Sequence, residues 1–225
     1  MTSNTKKRNE TKWALICDFD GTITLKDVGD IILTYFKAAS RKEIKDSYNL
    51  NVDMAKWMKN IFTRLNAAPK EIEKHLLKVI LIRKGFKGIV KFCAKNNIPL
   101  EIVSGGLDLY SKPLFKKWNL NVKSFFGKAK FTNNGYRISY PYLNGSSLDD
   151  FKKARVKFHQ RQGRKVIFCG DAMTDLKAAI IADKVYATKK LLNLCKIRNI
   201  ETSWLRTFSD VEKFIINSNK RQQGN

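Results

Sequence analysis

Short, unbroken apolar runs alternate along this chain with longer stretches whose apolar positions recur every three or four residues. Ala14-Leu15-Ile16-Cys17, Leu100 to Val103, and Val166-Ile167-Phe168-Cys169 are of the first kind. Each is too short for a helix and runs straight into polar or glycine residues, which predicts a buried strand ending in a loop. Lys184 to Ala187 predicts a further strand, and Asn133-Asn134-Gly135 between Phe131 and Tyr136 predicts a hairpin turn. The second kind begins near Val28. Ile31, Ile32, Tyr35 and Phe36 share a face, and Met54, Trp57, Met58, Ile61, Phe62 and Leu65 follow the spacing of one long amphipathic helix. Pro69 opens another, with Ile72, Leu76, Val79 and Ile80 on its apolar side. Further helices are predicted from Phe86 to about Asn96 and through Leu176, Ala179 and Ile180, and two more close the chain.

Strands alternating with helices predict an α/β fold with a parallel sheet and right-handed crossovers. The all-helical stretch after the first strand predicts a small inserted cap. The expected division is a core of residues 13–26 and 84–217, a cap of 27–83, and flexible tails at 1–12 and 218–225.

Composition changes this picture in one respect. Of 225 residues, 43% are hydrophobic, enough for a packed core, but 44 Lys and Arg face only 20 Asp and Glu, a net charge of +24. The basic residues are spread along the chain and are not gathered in a tail. A solvated basic surface is the plainest reading, steering of a phosphorylated substrate the next, and nucleic-acid binding the third. No apolar run is long enough for a membrane helix. The polar start of the chain predicts no secretory signal. Cys17, Cys93, Cys169 and Cys195 lack metal-ligand spacing. A reducing, cytoplasmic setting is therefore expected, and the oligomeric state is open.

Three predicted strands end in residues that can do chemistry: Asp18 and Asp20, Ser104 with Gly105 and Gly106, and Asp171 with Asp175. A single Asp after a strand is commonly a turn former or helix cap. In open α/β sheets, however, ligands bind at the carboxyl ends of the strands, and three such endings would meet in one crevice. Converging carboxylates repel unless a cation neutralises them, and Mg²⁺ is the simplest hard cation for oxygen ligands. Ser104 and the Gly105 amide could donate to a phosphoryl oxygen. A lysine is needed to balance the remaining charge.

Asp18-Phe19-Asp20-Gly21-Thr22, Val103-Ser104-Gly105-Gly106 and Gly170-Asp171-Ala172-Met173-Thr174-Asp175 resemble three motifs of the haloacid dehalogenase superfamily of phosphatases. The resemblance implies a Rossmann-like core, Mg²⁺ and phosphoryl transfer. It implies that Asp18 is the nucleophile and that Asp20 is the acid and base. The metal site would comprise Asp18, Asp20 through its backbone carbonyl, Asp171, and Asp175 in support. Lys152 and Lys153 both qualify for the motif lysine, and the spacing ahead of Gly170 favours Lys152. Further stretches, Ile82-Arg83-Lys84-Gly85-Phe86 and Ser104-Gly105-Gly106-Leu107-Asp108, are similar to the phosphoserine phosphatase-like branch and its methionine-salvage members. The implied substrate is a small metabolite phosphate, such as 2-hydroxy-3-keto-5-methylthiopentenyl-1-phosphate or phosphoserine. Ser104, Gly105, Asp27 and Arg83 are the candidate substrate-binding residues. Asp27 has a plainer role open to it, as N-cap of the helix beginning near Val28.

Overall fold

The structure is a computed structural model and describes residues 12–49 and 53–223. Strand β1 (Trp13–Cys17) is buried throughout and lies at the centre of the sheet. The chain then passes through the helices α1 (Val28–Tyr35), α2 (Arg41–Asn49), α3 (Met54–Ile61) and α4 (Pro69–Val79). It returns by α5 (Phe86–Lys95) to β2 (Leu100–Leu107), α6 (Asp108–Trp118), β3 (Lys123–Thr132) and β4 (Gly135–Ser139). Next come α7 (Leu148–Arg161), β5 (Lys165–Gly170), α8 (Leu176–Ile181), β6 (Lys184–Ala187), α9 (Lys189–Ile197), β7 (Thr202–Trp204) and α10 (Phe208–Gln223).

The strands form one seven-stranded sheet in the order β4-β3-β2-β1-β5-β6-β7. Only β4 is antiparallel, joined to β3 through the Asn133-Asn134-Gly135 turn. Alternation along β1 sends Leu15 and Cys17 to one core and Ala14 and Ile16 to the other. The second core is completed by Val156 of α7, Ala178 and Ala179 of α8, and Leu191 and Cys195 of α9. Both faces of the central strands are covered, which is why they read as unbroken apolar runs.

β1 pairs in parallel with β2 on one side and β5 on the other, with Cys17 level with Ile102 and Cys169. The strand order reverses here, so the residues after Cys17 and Gly170 flank the crevice where such sheets bind ligands.

Two joints fix the α1–α4 group to the sheet. At its base, Thr24 and Ile82 form an antiparallel bridge, and the Arg83 N–H donates to the Ile23 carbonyl at 2.7 Å. At its far side the β3–β4 hairpin leans on it. The Tyr136 hydroxyl donates to the Ala67 carbonyl at 2.7 Å. A side chain on Gly135, at φ +84°, would run into the Thr63 backbone.

Some elements differ from the sequence reading. The helix expected to run through Leu65 ends at Ile61 and tightens into a 3₁₀ turn, Phe62–Arg64. β2 does not stop at Val103 but continues through the glycines, with a register shift between Val103 and Leu107. A short edge strand, β7, separates the last two helices. Of the expected tails, residues 1–11 and 224–225 lie outside the described residues. Lys12 accepts a bond from the Lys165 N–H, and residues 218–223 continue α10.

Candidate active site

Asp18, Asp20, Asp27, Ser104, Gly105, Lys152 and Asp171 line one cavity of about 700 Å³. Each reaches it for a local reason. Asp18 and Asp20 leave β1 in a tight loop that turns at Gly21, φ +74°, a conformation suited to glycine. Asp171 and Asp175 follow β5. Lys152 is delivered by α7, which is capped by Ser147; the Ser147 hydroxyl oxygen accepts the Asp150 N–H.

The Lys152 ammonium is clasped between two carboxylates, 2.7 Å from Asp18 Oδ1 and 2.6 Å from Asp175 Oδ1. Its side chain is 1% exposed. Burial works against its charge, but Asp175 and Asp18 more than offset that and hold its pKa above the ordinary lysine value. A pair this deeply buried does more to fix geometry than to stabilise the fold. Lys153, one residue along, is not among the cavity residues.

Asp175 is wholly buried beneath the cavity floor. Besides Lys152 at Oδ1, its Oδ2 accepts the N–H groups of Asp171 and Ala172 at 2.9 and 3.0 Å. It braces the loop that presents Asp171.

Asp20 is turned the other way. Its Oδ1 accepts the Val28 N–H at 2.9 Å, at the start of α1. Its Oδ2 accepts the hydroxyls of Tyr110 at 3.1 Å and Ser104 at 3.3 Å. The two loop carboxylates are thus held by different partners, Asp18 by a cation and Asp20 by neutral donors.

Crowding and burial raise these acids. Burial outweighs Lys152 and pushes Asp18 up to about 8. Asp20 is raised well above the usual carboxylate range by burial, then by Asp27 and Asp18, against the donors from Val28 and Tyr110. Asp171 is pushed to about 6 by burial, with Lys189 pulling the other way. Carboxylate oxygens of Asp18, Asp171 and Asp175 all lie within 4.8 Å of one another. This oxygen-only donor set, carrying more negative charge than its lysines balance, fits a hard divalent cation.

Ser104 is buried, and its hydroxyl oxygen also accepts the Gly106 N–H at 2.9 Å. The Tyr142 and Tyr140 hydroxyls donate to the carbonyls of Ser104 and Gly105 at 2.7 and 2.8 Å, which fixes the bulged end of β2. A side chain on Gly106 would strike the Tyr110 hydroxyl and come within 2.6 Å of Asp20 Oδ2. Asp27 is the N-cap of α1 and also faces the cavity. Its Oδ1 caps α1 by accepting the Asp30 N–H at 2.9 Å, and the residue lines the cavity. Tyr48 of α2 donates to Asp27 and Asp30 at 3.1 and 3.0 Å.

Arg83 requires a correction. It was expected to meet substrate, but its guanidinium is spent on three backbone carbonyls: Thr22 at 2.6 Å, Gly21 at 2.9 Å and Leu205 at 3.2 Å. It is not among the cavity residues, and it ties down the loop after β1. Sequence reasoning missed Tyr110, Tyr48 and Lys189. Each meets its acid only through the fold, Tyr110 reaching Asp20 across 90 residues of chain.

A haloacid dehalogenase-like hydrolase family profile matches residues 15–179, and the chain belongs to that family. It is a phosphatase of this class. A 2-hydroxy-3-keto-5-methylthiopentenyl-1-phosphate phosphatase of Bacillus velezensis is 29% identical over 209 residues, covering 90% of this chain and 89% of the relative. A phosphatase of the same name from Bacillus cereus is 30% identical over 214 residues, covering 88% and 93%. The fold is that of a substrate-bound phosphoserine phosphatase structure, with a TM-score of 0.68 at 16% identity over 91% of this chain and 98% of that one. A phospho-aspartyl intermediate analogue of phosphoserine phosphatase superposes with the same score, 0.68, at 17% identity, over 91% and 99%.

Proposed function

We propose that the chain hydrolyses a small phosphate monoester through an acyl phosphate on Asp18, with Mg²⁺ as cofactor. The observation that carries this reading is the Lys152 ammonium clasped to Asp18 while Asp20, two residues on, is held by neutral donors. Asp18 is the nucleophile and attacks phosphorus. Burial, with the charges of Asp175 and Asp171, raises its pKa against the pull of Lys152. Lys152 balances Asp18 and the incoming phosphoryl group. The leaving oxygen takes a proton from Asp20, whose pKa burial raises well above the usual carboxylate range. Asp20 then accepts a proton from the water that cleaves the acyl phosphate, restoring both residues. The Ser104 hydroxyl and Gly105 N–H receive phosphoryl oxygens. Asp18, Asp171 and the Asp20 carbonyl, with Asp175 in support, would hold Mg²⁺, which would supply charge neutralisation.

The preferred substrate carries a short apolar arm. Met54, Trp57 and Met58 line the cavity, and soft sulfur and aromatic surface suits a thioether. No arginine is among the described cavity residues to grip a carboxylate. This supports the substrate for which the Bacillus relatives are named. Phosphoserine is the second reading, favoured by Asp27 and Asp30, which suit an ammonium group. Free, buried thiols at Cys17, Cys93, Cys169 and Cys195 suit a reducing cytoplasm.

The test compares kcat/KM for 2-hydroxy-3-keto-5-methylthiopentenyl-1-phosphate and phosphoserine, in wild type and Trp57→Ala. The thioether ester should be preferred, and the preference should shrink in the variant. Faster turnover of phosphoserine by the wild type would overturn the substrate assignment.

A further inference from the structure

Lys152 accounts for two of the buried acids, but a second ammonium enters the same cavity. Lys189, the first residue of α9, places its Nζ 2.8 Å from Asp171 Oδ2. Asp171 is the acid that the proposed mechanism reserves for the divalent cation. A side chain on Gly21 would strike both Lys189 Nζ and Asp171 Oδ2, so the pair is seated directly against the loop that carries Asp20.

The backbone adds to the case. Among the described residues, six non-glycine positions have φ between +45° and +57°, and four of these are asparagine, the residue that tolerates this region best. Of the other two, Lys37 follows the end of α1. Lys189, at φ +45°, instead begins a helix, and its side chain is 46% exposed at the cavity. The chain therefore holds a lysine in an unfavoured conformation where, among the described residues, its only side-chain ion pair is with Asp171.

We infer that Lys189 is a tethered counter-cation that shares Asp171 with the divalent metal, so that it neutralises the cluster when metal is absent and must be displaced when metal binds. Two cations cannot both sit against one carboxylate oxygen at contact distance without strong repulsion. Lys189 thus lowers metal affinity while protecting the metal-free fold from its own carboxylates. The displaced ammonium has Asp27 as its next acidic neighbour. This inference rests on the metal-site reading above and is separable from it.

The experiment is calorimetric titration of Mn²⁺ into the metal-free full chain, alongside thermal unfolding in excess EDTA. Lys189→Asn removes the charge and keeps a residue suited to positive φ. It should tighten Mn²⁺ binding by about tenfold, roughly the effect of removing one close like charge. It should also lower the Tm of the metal-free protein, with Mn²⁺ restoring more stability to the variant than to wild type. If Lys189→Asn does not fold, Lys189→Gly, which also accepts this backbone, takes its place. Unchanged or weaker Mn²⁺ binding in a folded variant, with binding still lost in Asp171→Asn, would overturn the inference alone. Mn²⁺ binding that survives unchanged in Asp171→Asn would overturn the metal-site reading, and this inference with it.

Discussion

Lys152 and Lys153 sit side by side on α7 and have different surroundings. Leu148 and Val156, four residues either way from Lys152, are both buried, so a lysine stands in the middle of an apolar stripe. Lys153 has Asp149 and Lys157 at the same offsets. Lys152→Ala should lower kcat by roughly two to three orders of magnitude, as for other preorganised electrostatic contacts. Lys153→Ala should leave it within a factor of about two, as for an isolated surface charge. Side-by-side kinetics check this, and the reverse order would move the clasp to the wrong residue. Gly106→Ala should damage activity far more than folding, because the added carbon falls against Tyr110 and Asp20. Steady-state rates and a thermal melt distinguish the two effects. At this scale the loop acids were legible because Asp18 and Asp20, and Asp171 and Asp175, are close in the chain. Lys152 was favoured over Lys153 by its spacing ahead of Gly170, and Lys152 is the lysine that meets Asp18 and Asp175. Tyr110, Tyr48 and Lys189 were not legible, because no local pattern marks a residue whose partner arrives from another strand end.

The joint between α1 and α2 carries a pH dependence. Burial, then the Asp27 charge, raises Asp30 from 3.8 to about 7, against the Tyr48 hydroxyl bond. A carboxylate raised in the folded state binds more protons folded than unfolded, so its contribution is full below about 3.8 and is lost as pH rises through about 7. Asp30→Asn removes that loss. Its Tm relative to wild type should therefore climb between pH 5 and pH 8, and a flat difference across that range would rule the account out. Arg83 belongs to the same scale, since it ties the return from α4 to the loop after β1. Arg83→Met leaves three carbonyls without their donor and should cost about 2–4 kcal/mol in urea unfolding. A change confined to KM, with stability intact, would restore the substrate role expected from sequence. The motif around Arg83 was visible, but its direction was not. The spacing of a motif does not say whether a guanidinium faces a ligand or its own backbone. Likewise the run Met54 to Leu65 kept helical spacing across a turn that tightens at Phe62, because one 3₁₀ turn hardly disturbs the apolar stripe.

Over the whole molecule, the parallel sheet was readable because its central strands are buried on both faces and so stand out as apolar runs. β7 was not, being three residues at an edge. The charge of +24 is a property of the same scale. It should speed capture of a phosphorylated substrate, so that kcat/KM falls with added KCl while kcat stays level. A kcat/KM insensitive to salt would leave the charge without a role in catalysis. The account as a whole rests on covalent chemistry at one carboxylate. The most direct measurement is to quench the Mg²⁺-loaded protein during turnover and reduce it with borohydride, which converts an acyl phosphate of aspartate to homoserine. Peptide mass spectrometry should find homoserine at position 18 and aspartate unchanged at position 20. Homoserine at another aspartate, or turnover with position 18 unmodified after a quench that traps other acyl phosphates, would contradict it.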